Sequence, residues 1–262
     1  VAFLIWELTD PHPVVDLKVL RHRTLWVGTI GVALGFGGMF SMIVLIPLWL
    51  QSVMGYTASE AGHAMAFIGI FAILIAPLAA KLMEVVDLRL CITLGTLWLV
   101  IMSLMRTQWT TEGDFWDFSL PQLLQGLGMP FFFIGLMTFA LSSVPPEDTA
   151  SAAGLLSFMR TVSGAVGTAL ATATWDDATR ENRALLVGQL NDPAGAMARM
   201  EHAGMGEAQA RGVIERLVDS QAATLGASHV FFMAAAVLFL AAFLPWLAPR
   251  PKLRGGVGAP AH

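Results

Sequence analysis

The 262-residue chain is 56% hydrophobic and 13% charged, against ~25% charged in a usual soluble domain. With a mean hydropathy of +0.67, that excludes a soluble globular protein and implies an integral membrane one. The net charge of −4 offers no basic surface for nucleic acid. The single cysteine, Cys91, excludes an intramolecular disulfide and a CxxC metal site, and no metal or cofactor is expected.

In chain order, residues 1–24 read as the end of a preceding span followed by a polar connector with Lys18, Arg21 and Arg23. Residues 25–247 read as an all-α bundle of six transmembrane helices, over 25–50, 61–80, 90–105, 120–143, 150–174 and 225–247. Between the last two lies a long polar segment, 176–224, expected as an external loop. It contains a short amphipathic helix marked by Ala210, Val213, Ile214, Leu217 and Val218. Residues 248–262 read as a basic, then Gly- and Pro-rich, cytoplasmic tail.

Short connectors set the expected orientation. The side carrying both termini has eight Lys/Arg, and the other has Arg106 alone, so both termini are expected in the cytoplasm. Six of the eight tryptophans, Trp26, Trp49, Trp109, Trp116, Trp175 and Trp246, fall at or near span ends, where an interfacial belt is expected.

The fifth span holds the sharpest functional signal. Pro145 and Pro146 stop the preceding helix, and Glu147 and Asp148 suit the next helix N-terminus. The 25 residues of 150–174 carry one full charge, Arg160. At about 1.5 Å per residue it lies roughly 15 Å inside the span, where an ionisable group needs water, a protein interior or a partner. A snorkelling arginine is the bland alternative, but ten residues of helix roughly exceed the reach of one side chain. Around Ser163, Gly164, Gly167 and Thr168 the same span presents a small-residue face suited to close helix packing.

In the fourth span, Gly126, Gly128 and Pro130 are expected to interrupt the helix, since proline removes a backbone donor. Gln122, Gln125, Met129 and Phe132 beside that break are candidates for a substrate cavity, with Met and aromatic surface suited to varied apolar ligands. Ordinary lipid-facing or core packing is the competing reading for each.

Five motifs in order carry a resemblance: Pro13-Val-Val-Asp-Leu before Arg21-His-Arg23, Gly55-Tyr-Thr-Ala-Ser-Glu-Ala-Gly62, Pro121-Gln-Leu-Leu-Gln-Gly126, Pro145-Pro-Glu, and Arg160-Thr-Val-Ser-Gly-Ala-Val-Gly-Thr168. Together they resemble the C-terminal half of the EmrB/QacA type, the 14-spanner drug:proton antiporters of the major facilitator superfamily. The resemblance implies a multidrug efflux transporter of the inner membrane that exchanges amphipathic compounds for protons. It implies a missing N-terminal bundle as partner and proton-coupling residue donor, and a periplasmic adaptor and outer-membrane channel as further partners. The hairpin of Lys81, Asp87 and Arg89 stands where the superfamily carries a Gly- and Arg-rich loop motif. Its glycine is missing here, so charge anchoring is the expected role of Lys81 and Arg89.

Two other classes compete. A noncatalytic membrane scaffold would lack a polar-lined cavity. A rhomboid-like intramembrane protease would need Ser163 and His229 within hydrogen-bond reach, yet on a helical register their depths differ by roughly 12 Å.

Overall fold

The computed structural model describes residues 23–189 and 192–249. Seven α-helices account for most of them: α1 (Arg23–Ser52), α2 (Ala58–Val85), α3 (Leu88–Arg106), α4 (Phe115–Leu141), α5 (Thr149–Gly188), α6 (Pro193–His202) and α7 (Glu207–Phe243). Short 3-10 turns cover Pro146–Asp148 and Leu244–Leu247. The preceding span and connector expected over 1–22, and the tail from 250 onward, lie outside the described residues.

Local chemistry sets the helix ends. At α2, Thr57 Oγ1 accepts from the Glu60 N–H at 3.3 Å while Glu60 Oε2 accepts from the Thr57 N–H at 2.8 Å, a reciprocal cap of two otherwise orphaned donors. Gly55, at φ 72°, makes the turn before it. Asp87 accepts from the Arg89 N–H at 3.0 Å to start α3, and Pro146 opens the turn into α5.

Among the described residues, α1 to α4 and α7 are each long and apolar enough to cross a membrane. α5 is less apolar but runs beside α1 and α7 through the same bundle. The described residues thus form a multipass, all-helical membrane bundle with six long helices. α1 packs on α5, α7 and α4; α4 also packs on α2 and α3; α3 and α7 close the remaining side. The core runs through Phe36, Met39, Met42, Trp49, Phe132, Phe139, Phe231 and Leu238.

Small residues bring the inner helices together. A Cβ at Gly28 would lie 2.5 Å from Ala140 Cβ, and one at Gly35 would lie 2.5 Å from the Phe132 ring, so α1 meets α4 almost backbone to side chain. α2 is held mainly by α4. Its buried residues are Ala61, Ala64, Ala79 and Met83, and Ile73, Leu74 and Leu78 stand exposed.

Four sequence expectations are corrected here. Segment 176–224 is not a loop: α5 continues unbroken to Gly188, and the amphipathic stretch is the first part of α7, continuous with the sixth span. Apolarity ends at Trp175 but helix propensity does not, because 176–187 contains neither Gly nor Pro. The two extensions are clamped by the Trp175 indole donating to the Ala223 carbonyl at 2.8 Å and by Arg183 pairing with Asp219 at 2.5 Å. The pairing raises the Arg183 pKa further.

Second, α4 runs through Pro130 without an interruption. Its glycines serve packing instead. A Cβ at Gly126 would meet the Ile68 carbonyl of α2 at 2.5 Å, and one at Gly128 would meet the Gly95 carbonyl of α3 at 2.9 Å. Third, Trp49 and Trp109 stand near helix ends as expected but form no exposed belt; both are buried in a cluster with Phe118, at ring separations of 5.1–5.5 Å. Fourth, Arg106, counted from the sequence as the lone surface cation of its side, is completely buried.

Candidate functional site

Two polar features of the bundle are each built around an arginine. The first is Arg160 on α5. Gly167, two turns further on, fixes where α5 crosses α1: a Cβ there would overlap the Gly37 carbonyl oxygen and lie 2.7 Å from Gly37 Cα. Gly164 faces Phe40, with a Cβ position 3.2 Å from the ring, and the Ser163 carbonyl approaches Gly37. Thr168 is half-buried, and its carbonyl accepts from Thr172 Oγ1 at 3.1 Å.

On the near side of that crossing Arg160 is exposed, with its guanidinium carbon 5.9 Å from the Phe36 ring centroid, a cation–π distance. Phe36 in turn packs on Phe132 at 5.5 Å and edge-on to Phe133 at 4.9 Å. The result is a cation resting on an aromatic wall formed by α1 and α4. The sequence asks for water, a protein interior or a partner around Arg160; on this bundle the side chain stands open on the surface. Its salt-bridge partner is absent among the described residues, where the ion pairs are Arg180–Asp177, Arg183–Asp219 and Arg199–Asp192.

On the other flank of α5 an apolar groove of about 370 Å³ opens between α5 and α7 with α1 as its floor. Gly37, Gly38 and Ser41 line the floor; Ser163, Val166 and Leu170 line one wall, and Met233 and Val237 the other. A second apolar groove of about 290 Å³ lies between α3 and α4, beside Gly95, Trp98, Gly128 and Phe131.

The other polar feature is Arg106, the last residue of α3. Its Nη2 donates to Gln122 Oε1 at 2.8 Å and also to Gln125 Oε1. Its Nη1 points to Met42 Sδ at 3.8 Å, and Ser103 Oγ donates to the Phe231 carbonyl at 2.9 Å beside it. Gln122 and Gln125 sit three residues apart and so share a face of α4.

Gln122, Gln125, Met129 and Phe132, expected to line a cavity, are therefore interior: 0%, 2%, 8% and 1% exposed. The two amides are spent on Arg106. The sequence signal for this cluster was present, because two glutamines on one face of an apolar span need a partner; the end position of Arg106 disguised it as a loop charge.

The hairpin residues also separate. Lys81 is exposed, Asp87 caps α3, and Arg89 is 7% exposed with Nε and Nη2 lacking hydrogen-bond partners. Arg89 is thus a buried residue rather than the surface anchor expected. Ser163 and His229 are not joined by a hydrogen bond: Ser163 lies at the Gly37 crossing, and His229 is exposed on α7.

Residues 7–168 match the Major Facilitator Superfamily. The chain belongs to that family. It is 35% identical to the multidrug export protein EmrB of Escherichia coli K12, over all of this chain and 52% of the relative. It is 33% identical to EmrB of Haemophilus influenzae over 96% of this chain and 50% of the relative. Against the fatty acid resistance protein FarB of Neisseria gonorrhoeae it is 30% identical over 98% of this chain and 51% of the relative. The chain spans about half the length of the curated relatives it matches. That share and the EmrB-type motifs fit the C-terminal half of such a protein.

Proposed function

We propose that this bundle is the C-terminal half of an inner-membrane multidrug exporter that releases amphipathic compounds in exchange for protons. Arg160 is the observation that carries the reading. It lies roughly 15 Å into its span, yet it is exposed on this bundle and stacked on Phe36. A guanidinium facing lipid tails at that depth costs several kcal/mol, so the Arg160 face looks instead onto a second bundle across a wet cavity.

Such a wall suits ligands with two characters. The half-buried Phe40 and Phe133 rings take flat or aliphatic apolar groups, and Arg160, backed by the buried Phe36, offers hydrogen-bond donors and positive charge to a carboxylate or other acceptor. Anionic and neutral amphiphiles are favoured over cations. The relative named for fatty acid resistance is consistent with that preference.

Proton coupling falls to the partner bundle, because the described acidic residues sit at span ends and in connectors, such as Glu60, Glu84 and Asp114. Both termini lie in the cytoplasm, supported by the Lys/Arg bias. The clamped extensions of α5 and α7, with α6 between them, then project outward, where a periplasmic adaptor leading to an outer-membrane channel would meet them.

The test is export of an anionic and a cationic amphiphile by cells expressing wild type, Arg160→Ala and Arg160→Lys at equal membrane levels. Loss of anionic-substrate export in Arg160→Ala, with partial rescue by Lys, supports the reading. Unchanged export in both variants would remove its basis.

A further inference from the structure

We infer that Arg106, Gln122 and Ser119 form an internal site for a small monovalent anion, with chloride the abundant candidate. The argument starts from charge. Arg106 is 0% exposed, and all of its acceptors, Gln122 Oε1, Gln125 Oε1 and Met42 Sδ, are neutral. Hydrogen bonds of that kind satisfy donors but leave a net positive charge in a low-dielectric interior, which is strongly unfavourable without a counterion.

The nearest carboxylates along the chain do not supply one. Glu112, Asp114 and Asp117 are exposed, and Asp117 Oδ2 is committed to the Asp114 N–H at 2.8 Å in the cap of α4.

The remaining groups point to what is held there. Arg106 Nε, Gln122 Nε2 and Ser119 Oγ are buried and have no hydrogen-bond partner. Ser119 and Gln122 lie one turn apart on the same face of α4, and Gln122 is already bonded to Arg106 through its other amide atom. Two of the three are obligate donors and the hydroxyl can be one. A water could accept from two of them but would not cancel the charge. A halide accepts several hydrogen bonds at once and neutralises the guanidinium. The Trp49, Trp109 and Phe118 cluster adjoins the site, since Trp109 follows Arg106 by three residues and Phe118 precedes Ser119; it keeps bulk water out.

The site is separate from the Arg160 wall and its test needs no transport assay. The intact protein in lipid nanodiscs is melted in sodium gluconate and in sodium chloride at equal ionic strength, with bromide and sulfate as comparison anions. Chloride and bromide should raise the Tm of the wild type by roughly 3 °C, and sulfate should not match them.

Gln122→Glu supplies a built-in carboxylate beside Arg106. It should be as stable in gluconate as the wild type is in chloride, and indifferent to halide. Ser119→Ala should fold and need several-fold more chloride to reach its half-maximal shift. A wild type indifferent to halide, or a halide shift of equal size in Gln122→Glu, would overturn the site and leave ordered water only. Were Gln122→Glu not to fold, an unchanged chloride midpoint in Ser119→Ala would overturn it equally.

Discussion

Arg106 and Arg160 both sit on long helices of the bundle, and the bundle treats them in opposite ways. Arg106 is enclosed by α1, α3 and α4, bonded to two amides and sealed beside a tryptophan cluster. Arg160 lies open at mid-span with one aromatic ring beneath it. Burial with many partners marks a group that holds the fold together. Exposure at a depth where lipid is costly marks a group waiting for something outside the bundle. Position in the span alone does not separate these roles; what surrounds the guanidinium does.

The contrast can be broken from either side. The largest effect is expected from Gly167→Leu, because a side chain there would run into the Gly37 backbone. Neither helix can move without undoing the α1–α5 crossing, so overpacking should cost at least ~3 kcal/mol. Size-exclusion chromatography of detergent-extracted protein should show aggregation; a monodisperse, wild-type profile would mean that the helices do not meet there.

Arg106→Ala comes next. It removes a large, fully buried side chain and leaves the acceptors of Gln122 and Gln125 unpaired, a loss of roughly 3 kcal/mol. A fall in Tm of several degrees is expected, with export per folded molecule unchanged. A stable variant with selective loss of export would move Arg106 to the functional side of the comparison.

Arg160→Ala should show the reverse pattern, with Tm nearly unchanged, within about 0.5 kcal/mol of stability, and export of anionic amphiphiles lost. The smallest effect belongs to Asp219→Ala. Its pair with Arg183 is solvent-exposed, and such pairs contribute little. No resolvable change in Tm is expected, and a clear drop would show that the α5–α7 clamp depends on that ion pair.

Much of the fold was legible in the sequence because long apolar runs leave few alternatives to helices. Boundaries were legible where chemistry marks them, as at Pro145–Pro146. The extension of α5 was not, because apolarity ends at Trp175 while helix propensity continues; the spacing of Ala210 to Val218 marks helix at the start of α7 but not its continuity with the sixth span.

The depth of Arg160 was legible from counting residues, but its exposure depends on how α5 crosses α1, which is a tertiary fact. Arg106 was misread for a similar reason. As the last residue of its helix it has the sequence context of a loop cation, and only the fold reveals that α4 brings Gln122 and Gln125 to it. The glycines and proline of α4 suggested a break near a cavity, whereas the helix runs through Pro130 and its glycines let α2 and α3 approach.

The most direct test of the account is the water accessibility of the two positions. Arg160→Cys and Arg106→Cys, each in a Cys91→Ala background, would be exposed in intact membranes to a charged, water-soluble thiol reagent with and without an anionic amphiphile. The account predicts that position 160 reacts and is protected by the amphiphile, while position 106 stays unreactive. A silent position 160 beside a reactive position 106 would contradict it.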